Sequence, residues 1–182
     1  TLPTITLSAI RALVDTPQQV DKEKAQWLIP STLHSRASKE QRENGSYWYL
    51  WADLDKEPPP LDTLVDIVQG VIGECCYEIY TSRSATVDNP KSRVLIPLAK
   101  PLSGMDWKHC QHLLNQRIKA AGFIPDPVSE GVAQLCFLPN RGEFYDPRTQ
   151  RDGNHFDALA GFADELAALP PEPAPPPPTV KP

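Results

Sequence analysis

Several common signposts are scarce in this chain of 182 residues. It has one methionine, nine glycines and four cysteines, and Cys75, Cys76, Cys110 and Cys136 form no C-x-x-C pair. A zinc site is therefore not expected, because structural zinc needs thiolates or histidines at short, repeated spacings. The apolar neighbours of Cys75, Cys110 and Cys136 instead read as buried, reduced thiols, which fits the cytoplasm. No apolar run reaches the ~20 residues that cross a bilayer, and no signal-peptide pattern is present. A soluble, cytoplasmic protein without a membrane partner is expected. Positive charge is in deficit, with 18 Lys and Arg against 23 Asp and Glu and a net charge of −5. That argues against a globally basic nucleic-acid surface but permits a local basic groove.

Proline, by contrast, is abundant. Of 21 prolines, eight lie between Pro170 and Pro182, and 170–182 reads as an extended, solvated polyproline linker. With a start at Thr1, this suggests an N-terminal domain cut from a longer protein whose partner domain follows the linker. The 40% hydrophobic content suffices for one domain with a sizeable core.

The most informative stretch is Tyr47-Trp48-Tyr49-Leu50-Trp51-Ala52-Asp53-Leu54-Asp55. An aromatic and aliphatic run reads as a buried strand, and it ends in two aspartates spaced i, i+2. Side chains two apart on a strand share a face, so Asp53 and Asp55 present adjacent carboxylates. Such a pair repels itself unless a cation sits between, and paired carboxylates suit Mg²⁺ or Mn²⁺ holding a triphosphate. Alone, an Asp-x-Asp more often begins a polar loop, and Lys56-Glu57-Pro58-Pro59-Pro60 is such a loop.

Residues 1–46 read as an αβ extension: a short strand over 2–7, helical turns over 8–15, a strand at Gln26–Ile29 and a polar loop over 31–45 carrying His34, Arg36, Lys39 and Arg42. From Ser46 the pattern is regular. The strand over 47–53 precedes Leu61, Leu64, Val65, Val68, Val71 and Ile72 at helical spacing, stopped by Gly73. Strands are expected over 76–82 and 92–98. Ser103 with Asp106 resembles a capping box before a helix whose stripe is Trp107, Cys110, Leu113, Leu114, Ile118 and Ala121, ended by Gly122. A fourth strand is expected over 133–138 and a last helix over 154–169. The order β-α-β-β-α-β is that of an α+β, ferredoxin-like or RRM-like sheet over 47–169, with strand order 4-1-3-2. In that topology Asp53, Asp55, the segment Thr81-Ser82-Arg83-Ser84, Lys91, Arg93 and Asp126 converge at one sheet edge. Carboxylates, hydroxyls and cations together form the set that a metal-nucleotide site requires.

These motifs resemble the archaeo-eukaryotic primase superfamily, most closely the primase-polymerase domains of phage, prophage and plasmid replication proteins. The resemblance spans roughly Trp27 to Tyr145. Asp53 and Asp55 match the family's h-D-x-D motif, and Asp126 with Leu135 to Pro139 is similar to its third motif, a metal-binding aspartate ahead of a strand. The second motif, S-x-H, is met by Ser82-Arg83-Ser84-Ala85-Thr86, which lacks the histidine. The resemblance implies that Asp53, Asp55 and Asp126 hold two divalent ions, Mg²⁺ or Mn²⁺. It also implies that Ser82, Arg83, Ser84, Lys91, Arg93 and Gln134 contact the nucleotide. The implied activity is template-directed nucleotidyl transfer from NTPs or dNTPs on single-stranded DNA, with a helicase domain beyond the linker. Two other readings remain open. One is a non-catalytic single-stranded DNA or origin-binding module of a replication initiator, and the other is a cyclase-like nucleotidyl enzyme. His109 and His112 on the second helix read as solvated rather than metal-bound, and Trp48 and Trp51 as core.

Overall fold

The computed structural model describes residues 3–171 together with 173, 174 and 176. In chain order the elements are α1 (Leu7–Asp15), β1 (Trp27–Leu28), α2 (Ser38–Asn44), β2 (Ser46–Leu54), α3 (Leu61–Ile72), β3 (Tyr77–Thr81), β4 (Ser92–Ser103), α4 (Gly104–Ala120), β5 (Cys136–Phe137), β6 (Arg148–Gln150), α5 (Ala158–Gly161) and α6 (Ala163–Ala168). Two short 3₁₀ helices lie at Lys22–Lys24 and Pro127–Glu130. The fold is α+β. One antiparallel sheet has the order β2-β4-β3-β6, and β1 pairs with β5 in a separate antiparallel ribbon.

The sheet forms because β2 and β4 are rich in aromatic and branched residues that alternate between two faces. Leu50, Ala52 and Leu54 pair across with Ile96, Val94 and Ser92. Their face is covered by the helices that the apolar spacing foretold. α3 buries Leu61, Leu64, Val68 and Ile72 and ends at Gly73, whose φ of 64° is a conformation that L side chains rarely adopt. α4 is capped by the Ser103 hydroxyl, which accepts from the Asp106 N–H at 3.2 Å. It buries Trp107, Cys110, Leu113, Leu114 and Ile118, while Ala121 forms its exposed C-cap. The Trp107 ring stacks on Tyr47 with centroids 4.5 Å apart.

The opposite face carries Tyr49, Trp51, Asp53, Arg93, Leu95, Tyr80 and Glu78. It is covered by α1 and by the β1-β5 ribbon. Glu78 is buried against Arg11 of α1 and Arg151, and the Tyr80 hydroxyl donates to the Phe137 carbonyl of β5. Ile10, Val14 and Leu28 join the same core as the central strands, so the N-terminal segment is packed as part of one hydrophobic unit.

The fourth strand is where the expected 4-1-3-2 order fails. Residues 133–138 do not pair with β2. Only Cys136 and Phe137 are strand, and their partners are Leu28 and Trp27. The vacated edge of β2 is satisfied by other groups. The Trp107 indole donates to the Tyr49 carbonyl at 2.8 Å. The Gln111 side-chain amide takes both backbone groups of Trp51: its oxygen accepts from the Trp51 N–H at 3.0 Å and its nitrogen donates to the Trp51 carbonyl. The Asp126 N–H donates to the Asp53 carbonyl at 2.8 Å. Two α4 side chains and one turn thus replace a strand. Residues 30–32 meet the start of the same edge, where the Trp48 N–H donates to the Pro30 carbonyl at 2.8 Å and the Thr32 N–H to the Ser46 carbonyl at 2.9 Å. Little of the edge is left for a ladder, and residues 133–138 cross to cover the second face instead.

Other expectations need smaller corrections. Residues 3–6 form no strand, and 38–44 form α2 within the expected loop. β4 continues past Leu98 to Ser103, with an irregularity between Tyr47 and Tyr49 where the register jumps. An unexpected strand, β6, pairs with Tyr77, Glu78 and Ile79. The single helix expected over 154–169 is instead α5 and α6, broken at Phe162, which is fully buried and packs edge-on to Phe156 at 5.5 Å. The linker expected over 170–182 lies largely outside the described residues.

Candidate functional site

Register builds the site. Asp53 pairs with Arg93 on β4, and Arg93 pairs with Tyr80 on β3, so these three stand in one row across the sheet. One row further along on the same face come Asp55, Lys91 and Ser82, whose N–H donates to the Lys91 carbonyl at 2.8 Å. Ion pairs follow the rows: Arg93 Nε lies 3.9 Å from Asp53 and Lys91 Nζ lies 3.6 Å from Asp55. Asp126 arrives from the other side, held by its backbone bond to Asp53. Its carboxylate caps the turn that follows, accepting from the Val128 N–H at 3.0 Å.

That turn is anchored to α4. The buried Ser129 hydroxyl donates to the Asp126 carbonyl at 3.1 Å and accepts from Asn115 at 3.0 Å. Asn115 also donates to Glu130, and Glu130 engages His112 at 2.6 Å. His112 is therefore a partner of a carboxylate rather than a metal ligand with His109. No sequence signal marks Gln111 and Asn115, since polar residues on an amphipathic helix read as its solvated side, or Ser129 in the 3₁₀ turn. All three are buried.

Electrostatics set the character of Asp53. Burial pushes its carboxyl above the ordinary value; Arg93 opposes this, while Asp55 and Asp126 push it further up and Lys22 pulls it down. The charges of Asp55 and Asp126 thus bear on the half-buried Asp53 carboxylate, and an added cation would relieve that repulsion. The donor set is all carboxylate oxygen, which suits a hard ion such as Mg²⁺ or Mn²⁺. Among the described residues, no group of three or more His, Cys, Asp or Glu is set closely enough to ligate an ion as it stands. Asp53 and Asp55 are held by Arg93 and Lys91 instead.

The remaining candidates divide. Ser82 is buried at the end of β3, and its hydroxyl has no hydrogen-bond partner among the described residues. Arg83 turns away from the carboxylates, donating to the Val20 carbonyl and lying 3.6 Å from Asp21. Ser84 is exposed in the turn after β3. Gln134 lies half-buried in the turn after Gly131, between the segment anchored to β2 and β5, and no contact among the described residues brings it to the carboxylates. Lys22 and Phe137, beside the site, have no sequence signal at all. Lys22 and Arg93 both stand over the Phe137 ring, each 5.8 Å from its centroid. Their sequence separation hides this, because only the β1-β5 crossing brings them together.

No family model, curated protein or solved structure matches this chain. No helix among the described residues is long and apolar enough to cross a membrane.

Proposed function

We propose that this chain is the primase-polymerase domain of a mobile-element replication protein, carrying out metal-dependent, template-directed nucleotidyl transfer on single-stranded DNA. The observation that carries this reading is the double row on one sheet face: Asp53 and Asp55 aligned with Arg93 and Lys91, with Asp126 tied to the Asp53 backbone. The β2-β4-β3 order, with α3 crossing from β2 to β3, supports the first βαβ half of a core of the primase kind.

In this reading Asp53, Asp55 and Asp126 hold Mg²⁺ or Mn²⁺. Bound divalent ions in such sites sharpen an attacking hydroxyl and stabilise a leaving pyrophosphate. Arg93 and Lys91 are the groups that exchange their carboxylate partners for triphosphate oxygens, Arg93 through its planar fork and Lys91 as a point charge. The unpartnered Ser82 hydroxyl, on the same row as Lys91, donates to a phosphate oxygen. Arg83, turned to Val20 and Asp21, is left out of this inner group.

A second reading is favoured by the ion pairs themselves. Arg93 and Lys91 already neutralise Asp53 and Asp55, as in a binding module that uses the same sheet without chemistry. Extension of a primed single-stranded template with Mg²⁺ or Mn²⁺ separates the two. Wild type is expected to make product, and Asp53→Ala or Asp55→Ala to make none. Synthesis that survives either substitution, or a folded wild type that makes nothing, refutes the catalytic reading.

A further inference from the structure

Beside the carboxylate rows lies a polar cleft of about 420 Å³, lined by Val20, Asp21, Lys24, Arg83, Arg141 and Gly142. That volume falls within the ~300–1,000 Å³ of ordinary ligand clefts. We infer that this cleft is a phosphate-binding subsite in which Lys24 and Arg141, with Arg83 on its wall, receive a phosphoryl group of a nucleotide or nucleic-acid ligand. The inference rests on the proposed nucleotide-handling role of the neighbouring face and extends it to Lys24 and Arg141, which the motifs do not include.

Charge is the first support. The chain carries a net −5, yet three cations and one carboxylate line this cleft. Asp21 is spent on Arg83. Among the described residues neither Lys24 nor Arg141 forms an ion pair. Two uncompensated cations facing one concavity raise the local concentration of anions.

Construction is the second support. The walls are fixed by bonds that reach across more than a hundred residues. The buried Asn140 amide clamps Val20 on both sides, accepting from its N–H at 3.0 Å and donating to its carbonyl at 2.8 Å. Gln18 donates through its backbone to the Pro139 carbonyl at 3.1 Å, and the Arg141 N–H returns to the Gln18 carbonyl at 2.8 Å. Gly142 sits so close to the Arg83 carbonyl that an added Cβ would collide with it. Only glycine lets the 140–142 turn close on Arg83. A mobile basic loop would need none of this. A fixed backbone holds the stems of Lys24 and Arg141 at one cleft, so that no loop has to be ordered when an anion binds. The same 19–24 turn carries Lys22 toward Asp53, so cleft and carboxylate face share a wall.

The test is the double variant Lys24→Gln/Arg141→Gln, with Lys24→Arg/Arg141→Lys as the charge-preserving control. Binding is measured by anisotropy of a labelled single-stranded oligo(dT) and by calorimetry with ATP, each with thermal melts to verify folding. The expected result is an affinity loss of about tenfold or more for at least one of the two ligands, restored by the control. Loss confined to the oligonucleotide, with its salt slope reduced by about 1.4, assigns the cleft to a strand phosphate. Loss confined to ATP assigns it to the triphosphate. Unchanged affinity for both in a folded variant overturns the inference, as does equal loss in the charge-preserving control. Because both measurements are of binding, failure of wild type in the extension assay would sink the catalytic reading while leaving this result standing. If the double variant melts early, the single variants Lys24→Gln and Arg141→Gln carry the same comparison.

Discussion

Replacing Gln111 with leucine removes the device that stands in for the missing fourth strand. The Gln111 amide is fully buried and satisfies both the N–H and the carbonyl of Trp51, itself almost fully buried. Leucine fills nearly the same volume, so no large cavity accompanies the change. What remains is two buried backbone groups without partners, each costing ~1–3 kcal/mol, or roughly 2–6 kcal/mol together. For a domain of this size that lowers Tm by roughly 5–20 °C and moves the urea midpoint down by ~1–3 M. Hydrogen exchange gives the local readout: the Trp51 amide should lose its protection while amides of β3 keep theirs. Gln111→Glu is the informative companion, since it keeps the acceptor for the Trp51 N–H but presents a carboxylate to the Trp51 carbonyl. It should cost at least as much as the leucine. A loss below ~1 kcal/mol with Trp51 protection unchanged would refute the idea that this amide replaces a strand.

Other consequences follow from named contacts. Trp107→Ala, which removes a fully buried ring stacked on Tyr47 and a donor to Tyr49, should cost ~3–5 kcal/mol in chemical denaturation; a loss near zero would contradict the packing. Burial raises the Glu78 carboxyl above its ordinary value against the opposing pull of Arg151 and Arg11. The folded state then holds its proton longer than the unfolded chain, so this group's contribution is full below the ordinary carboxylate range and falls as pH rises through the raised value. Melting of Glu78→Gln relative to wild type should therefore improve from about pH 4 toward about pH 7, and a difference independent of pH would contradict the burial argument. On the proposed metal role, Mn²⁺ at ~100 times its Kd should add ~2.7 kcal/mol, raising Tm by about 5–10 °C. EDTA should reverse the shift and Asp55→Asn should abolish it; an equal shift in Asp55→Asn would place the ion elsewhere.

Much of the architecture was legible because it depends on local rules. The apolar spacing of Leu61, Leu64, Val68 and Ile72 and the stop at Gly73 describe α3 almost to the residue, and Ser103 with Asp106 marks the start of α4. Side-chain alternation put Asp53 and Asp55 on one face, and antiparallel pairing brought Arg93 and Lys91 beside them. Each of these follows from geometry within a turn or between strands joined in a simple order. Local rules failed where one group competes with another far away in sequence. Residues 133–138 have the composition of a strand, but composition does not say which edge they pair with. Gln111 and Trp107 had already taken the groups of β2 that such a strand would need.

The sequence by itself therefore determined α3, α4 and the three central strands, the face on which the carboxylates stand and the cations opposite them, because those follow from periods of 2 and 3.6 and from local caps. Only the tertiary structure decided how the β2 edge is closed, where Asp126 is tied, why Arg83 leaves the carboxylate group and how Lys24 and Arg141 come to share one cleft. Those outcomes depend on which buried polar groups find partners far apart along the chain, and no local pattern records that competition.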